Sequence, residues 1–241
     1  MLEEQLCRQD MIESGENGKI KFLLKLKLSK YRKKEQKFIV EGPHLVLEAR
    51  NAGVLIEAFS IEERTGYTHI SATLMKKICN TDTLVKEIGL CRILEKNELS
   101  NRVLILDGIQ DPGNMGSLMR SACAFGFETI FIGNGSVDIY NDKVIRSSQG
   151  AIFKLNFIFG DVVEFIQKIP HKVFGTNVVN GISLSKIKKE EKVAVVLGNE
   201  GNGISKEVEQ LQLDNIFIPM KNMESLNVSV AGSIIMYELG V

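Results

Sequence analysis

The feature that most constrains this chain is a set of apolar runs without polar alternation, each breaking into a polar loop ahead of a helical pattern. Residues 102–106 (RVLIL) run into DGIQDPGN, residues 193–203 read VAVVLGNEGNG, and residues 218–231 read IPMKNMESLNVSVA. A strand with one wet face alternates apolar and polar residues. A run that is apolar throughout is buried on both faces, which is the condition of parallel strands layered between helices. Loops at the carboxyl ends of such strands lie outside the hydrogen-bond ladder and are free to hold a ligand.

Applied along the chain, this logic predicts strands over 102–106, 128–132, 155–159, 173–176, 192–197 and 216–218. Helices are expected over 115–125, capped by Asn114 and stopped by Gly126, and over 141–148, 162–169, 205–211 and 228–239. The expected fold class is α/β, a mostly parallel sheet covered on both faces. Residues before 95 predict a smaller α/β unit. It has a helix over 19–30, a strand over 38–41, a helix opened by Gly42-Pro43 and ended by Gly53, a strand over 54–61, a helix capped by Ser71 and a strand over 91–94. The polar stretch KNELSN separates the two. The expected division is a flexible leader over 1–18, a first domain over 19–95, a linker over 96–101 and a second domain over 102–241.

Composition narrows the function classes. The 241 residues include 44% hydrophobic and 25% charged, which is globular, and no apolar run nears the roughly 18 residues of a membrane span. The N-terminus carries acids and lacks the apolar core of a secretory signal, so a cytoplasmic location is expected. Cys7, Cys79, Cys91 and Cys123 form no close pair, and His44, His69 and His171 are single, so no metal is expected. Thirty basic residues balance thirty acidic ones, yet residues 19–37 read KIKFLLKLKLSKYRKKEQK, with only Glu35 opposing the positive charge. Such a segment can neutralise phosphates while Phe22 and Tyr31 stack on bases, or form a solvated helix with Phe22, Leu23 and Leu26 turned to the core.

The glycine loops invite a nucleotide reading, which their spacing rejects. GNEGNG is not G-x-G-x-x-G, and no G-x-x-x-x-G-K-[ST] occurs. Instead DPGNMGSLMRSACAFG, VVLGNEGNGIS and IPMKNMESLNVSVAGSI, in that order, resemble the three motifs of the SpoU/TrmH branch of the SPOUT RNA methyltransferases. The resemblance covers residues from about 102 to the end. The first domain is similar to the L30e-like RNA-binding substrate domain that precedes the catalytic domain in many ribosomal RNA 2′-O-methyltransferases.

The resemblance implies S-adenosylmethionine as methyl donor, a ribose 2′-hydroxyl as acceptor, a deep trefoil knot near the C-terminus and a homodimer with active sites close to the subunit interface. It marks Arg120 as the catalytic arginine and Asn114 as the asparagine that positions it. Glu200 is then the acid that holds Arg120 or the ribose, with Ser225 and Asn227 hydrogen-bonding arginine and ribose. Thr176, Gly198, Ile218 and Leu226 match cofactor-holding positions, with Met220 lining the same pocket. An arginine stays protonated, so Arg120 is read as binding the target phosphate and stabilising charge on the 2′-oxygen, the base being an RNA phosphate. Ribosomal RNA is the expected substrate. The alternatives are a tRNA 2′-O-methyltransferase and a noncatalytic RNA-binding or ribosome-assembly factor of the same fold. Residues 1–10 are expected to be dispensable.

Overall fold

In the computed structural model, which describes residues 11–81, 83–93, 98–178, 180–188 and 190–240, the chain divides into two units, Met1–Leu94 and Glu95–Val241. The expected linker at 96–101 lies partly outside the described residues, as does most of the expected leader. Pairing begins before Lys19, because Ile12 forms a parallel bridge to Ile70, and Asn17 caps the first helix by accepting from the Lys19 amide at 2.9 Å.

The first unit contains α1 (Gly18–Lys25), α2 (Ser29–Glu35), β1 (Lys37–Glu41), α3 (Pro43–Asn51), β2 (Leu55–Ser60), β3 (Thr68–His69), α4 (Ala72–Ile78) and β4 (Glu87–Arg92). Its sheet runs β1-β4-β2-β3, with β4 antiparallel to both β1 and β2. The single helix expected over 19–30 is two helices. Leu23 and Leu26 both enter the core, and the chain turns immediately after. The buried Arg32 makes that turn tenable. Its Nη1 donates to the carbonyls of Leu26 at 2.9 Å and Lys27 at 2.8 Å, which otherwise end a helix without partners. The last strand lies at Glu87–Arg92 rather than 91–94. Its register includes an acid, Glu87, which is only 4% exposed because Arg64 pairs with it at 3.1 Å.

The second unit contains β5 (Arg102–Asp107), α5 (Pro112–Ala124), β6 (Thr129–Gly133), α6 (Asp142–Ser148), β7 (Asn156–Gly160), α7 (Val162–Lys168), β8 (Lys172–Thr176), β9 (Ile182–Ser183), β10 (Val193–Gly198), α8 (Lys206–Glu209), β11 (Asp214–Phe217) and α9 (Val228–Gly240). Among the described residues these strands form one seven-stranded sheet, β7-β6-β5-β10-β8-β11-β9, with every pairing parallel. Both faces are covered, as a sheet of unbroken apolar strands requires. Val103, Ile105, Phe131, Ala194 and Val196 form one core with Val162 and Ile166 of α7 and Val208 of α8. Alternate residues point the other way, where Leu197 meets Leu118 of α5 at Gly232 of α9.

One boundary bears on the site. Asn114 is not the cap of α5: Asp111 is, accepting from the Asn114 amide at 2.8 Å, and Pro112 takes the first helical position. Asn114 therefore sits inside the first turn. The strand order matters equally. From β5 the chain proceeds to β6 and β7 on one side, then to β8 on the other, and β10 fills the slot between β5 and β8. Gly198 is level with Asp107 across the β5–β10 pair, so the two loops leaving these strands start side by side. A switch point of this kind is where open parallel sheets bind ligands.

Candidate active site

A cavity of about 800 Å³ opens at the carboxyl ends of β8, β10 and β11. Its lining includes Thr176, Gly198, Ile218, Met220 and Leu226, together with Glu200, Ser225 and Asn227. Its size falls in the range of small-molecule sites. The Thr176 hydroxyl donates to the Val196 carbonyl at 2.9 Å and ties β8 to β10 at the mouth. A Cβ on Gly198 would collide with the backbone of Gly203 and Ile204, so this position admits only glycine while the loop stays folded over it. Ile218, Met220 and Leu226 supply a partly exposed apolar wall.

Beside the cavity, three loop segments meet in one hydrogen-bond network. The Glu200 carboxylate accepts from the backbone amides of Gln110 at 3.3 Å and Asp111 at 3.1 Å, and from Asn114 Nδ2 at 3.1 Å. Asn227 Nδ2 donates to Asn114 Oδ1 at 3.0 Å. Its own Oδ1 caps α9 by accepting from the amides of Ser229 at 2.9 Å and Val230 at 3.4 Å. Partial burial works against the charge on Glu200, but the bonds from Asn114 and from the Glu200, Asp111 and Gln110 amides outweigh it. The carboxyl is held below its ordinary range. It is an anion at the start of a helix, where the free amides favour one.

The geometry differs from expectation at Arg120. Its side chain is exposed, makes no hydrogen bond or ion pair among the described residues, and does not line the cavity. Glu200 and Asn114 hold each other and the opening of α5 instead of the arginine. With Asp111 as cap, the free amides of the Gln110–Asp111 turn lie next to Glu200 and take up its oxygens, whereas Arg120 lies more than one and a half turns beyond Asn114. Ser225 lines the cavity and makes no side-chain bond among the described residues.

Residues outside the expected set do comparable work. Asn199 donates through Nδ2 to the Gly108 carbonyl at 2.9 Å and accepts through Oδ1 from the amides of Gly201 at 2.9 Å and Asn202 at 3.2 Å. Asp107 accepts from the Ser205 amide at 2.8 Å. The sequence signal was an asparagine ahead of a glycine turn, which bonds its own loop.

The basic segment lies in the first unit, and its two rings are half-buried. Phe22 and Tyr31 pack against the core, with Lys37 over the ring of Phe22 at 5.3 Å and Lys30 over that of Tyr31 at 5.0 Å. Lys19 is paired with Glu57 at 2.5 Å and Lys21 with Glu16 at 2.5 Å, while Lys25, Lys27, Lys33 and Lys34 remain exposed. Among the described residues no group of three or more His, Cys, Asp or Glu is placed to hold a metal ion, and no helix is long and apolar enough to cross a membrane.

Comparison with known proteins places both units. Residues 101–237 match the family described as SpoU rRNA Methylase, and residues 17–86 match the MRM3-like substrate binding domain. The chain is 31% identical over 243 residues to the 23S rRNA (guanosine(2553)-2′-O)-methyltransferase RlmP of Bacillus subtilis (strain 168), covering 95% of this chain and 98% of that one. A TrmH-family structure from Porphyromonas gingivalis superposes with a TM-score of 0.81 at 31% identity, covering 91% of this chain and 96% of that chain. An rRNA methyltransferase from Sinorhizobium meliloti, solved with AdoMet bound, shares the fold with a TM-score of 0.85 at 22% identity, covering 95% and 97%.

Proposed function

The chain belongs to the SpoU rRNA methylase family, and from that premise we propose that it transfers a methyl group from S-adenosylmethionine to a ribose 2′-hydroxyl in ribosomal RNA. The observation that carries this reading is the meeting of three motif segments, through Asn114, Glu200 and Asn227, beside the cavity at the ends of β8, β10 and β11. The alignment with the Bacillus subtilis enzyme over nearly the whole of both chains, and the substrate-binding match over residues 17–86, favour ribosomal over transfer RNA.

The cavity fits the donor. Gly198 leaves backbone in place of a side chain, and Ile218, Met220 and Leu226 offer an apolar wall for an adenosine. S-adenosylmethionine, when bound, supplies a methyl carbon activated on a sulfonium. The chain's part is to hold donor and ribose in line, which converts an encounter into a unimolecular step. The Arg120 guanidinium serves by binding phosphate beside the target ribose and offsetting charge as it develops on the 2′-oxygen. The proton passes to an RNA phosphate oxygen. Glu200 and Asn114 keep the opening of α5, and hence the arginine's helix, fixed to the cavity loop.

The same reading includes a homodimer and a knotted passage of the C-terminal segment. The outer face of α9 supports the first. Val230, Ile234 and Tyr237, spaced to share one helix face, are 46%, 38% and 59% exposed. The entry of β11 between β8 and β9, strands already laid down, supports the second. Mapping ribose methylation in RNA from cells with and without the gene tests the function. Loss of one 2′-O-methyl mark in ribosomal RNA is the expected result. A mark lost from transfer RNA would move the substrate assignment, and an unchanged map with purified protein inactive on total RNA would leave a noncatalytic RNA-binding factor.

A further inference from the structure

The loop after β10 and the turn after β5 are stitched together by side-chain hydrogen bonds from two consecutive residues, Asn199 and Glu200. Within the first, the Asn199 amide donates to the Gly203 carbonyl at 2.8 Å and the Gly203 amide returns the bond at 2.9 Å, closing a five-residue ring. The Asn199 side chain fills that ring with its oxygen and reaches out of it with its nitrogen, to the carbonyl of Gly108. Gly108 has a φ of +78°, a left-handed conformation natural to glycine. The next residue, Glu200, takes the amides of Gln110 and Asp111 and the side chain of Asn114.

Only a short side-chain amide meets all three demands on Asn199. It must accept two amide hydrogens on one atom and donate to a carbonyl from the other. A carboxylate has the acceptors but no donor, and a hydroxyl is too short to do both. We propose that Asn199 is a positioning residue that locks the donor loop 199–203 onto the β5–α5 turn, so that the cavity wall and the helix bearing Arg120 move as one body. It rests on the reading of the cavity as the S-adenosylmethionine site. Locking the loop in advance removes an ordering cost that binding would otherwise bear, so donor affinity and the placement of Arg120 depend on one side chain.

The test uses the full chain and two variants, Asn199→Ala and the isosteric Asn199→Asp, with thermal melts to establish that each is folded. S-adenosylmethionine binding is measured by calorimetry, and amide exchange by mass spectrometry without ligand. At neutral pH both variants are expected to bind the donor about tenfold or more weakly and to exchange faster at residues 109–114. In Asn199→Ala the amides of Gly201 and Asn202 exchange faster as well. In Asn199→Asp the amides of Gly201 and Asn202 keep an acceptor, but the carboxylate has no hydrogen to give the Gly108 carbonyl and lies beside the Glu200 anion, so faster exchange is confined to 109–114. A residue that merely filled space would leave the isosteric variant like the wild type. Wild-type binding with both variants unchanged, or weakened without faster exchange at 109–114, overturns the lock alone. A wild-type chain that binds no donor overturns the site assignment, while the exchange data still decide for or against the lock.

Discussion

Arg120 stands apart from the carboxylate that motif reasoning pairs it with, and its isolation fits a group that waits for an anionic partner. A guanidinium presents a planar fork that an ammonium lacks. Arg120→Lys is expected to lower the single-turnover rate of methyl transfer to ribosomal RNA about a hundredfold or more, with little change in donor affinity. Near-normal turnover in that variant would remove the case for the planar group. Residue identities at this scale were legible, since Asn114, Glu200 and Asn227 sit in recognisable motifs. Their partners were not, because the bonds from Glu200 to Gln110 and Asn114 span about ninety positions of sequence and depend on β5 and β10 lying level.

Helix α9 carries apolar residues on both a buried and an exposed face. Gly232, Ile235, Met236 and Leu239 are buried, and Ser233 meets Ser121 of α5 at 2.7 Å. Val230, Ile234 and Tyr237 face outward, with Tyr237 edge-on to Phe125 at 5.5 Å. A double Val230→Glu, Ile234→Glu variant is expected to remain folded, because neither side chain is buried, and to run as a monomer in light scattering, the wild type being expected to run as a dimer. An unchanged mass would remove α9 from the interface. Periodicity over 19–30 favours one helix, but Leu26 is drawn into the core and Arg32 satisfies the carbonyls freed by the turn. A local pattern cannot register a partner that arrives from the next helix.

At the scale of the whole molecule, the basic segment of the first unit and the cavity of the second are expected to serve one RNA. The exposed Lys25, Lys33 and Lys34, together with Lys27, whose ammonium also donates to the Lys77 carbonyl at 3.2 Å, offer positive charge to phosphates. Replacing all four with alanine is expected to flatten the salt dependence of RNA affinity, by about 0.7 in log–log slope for each phosphate no longer neutralised, with donor binding unaltered. Arg32→Ala is expected to lower the melting temperature instead, since that arginine is 7% exposed and bonded within the unit. An unchanged slope in the lysine variant would make the segment a solvated surface.

The sequence by itself determined the alternation of buried strands and helices, because a fully apolar run has no wet face and must be layered. It also determined which loops carry polar groups at strand ends, VVLGNEGNG and IPMKNMESLN foremost. Only the tertiary structure decided that β10 enters between β5 and β8, and so that Asn199 reaches Gly108, Glu200 reaches the start of α5, and Asn227 reaches Asn114. Hydrophobic pattern fixes which face of a strand is buried but not which strand lies beside it. Strand order is a property of the whole packing, and the hydrogen bonds that build this site follow from strand order.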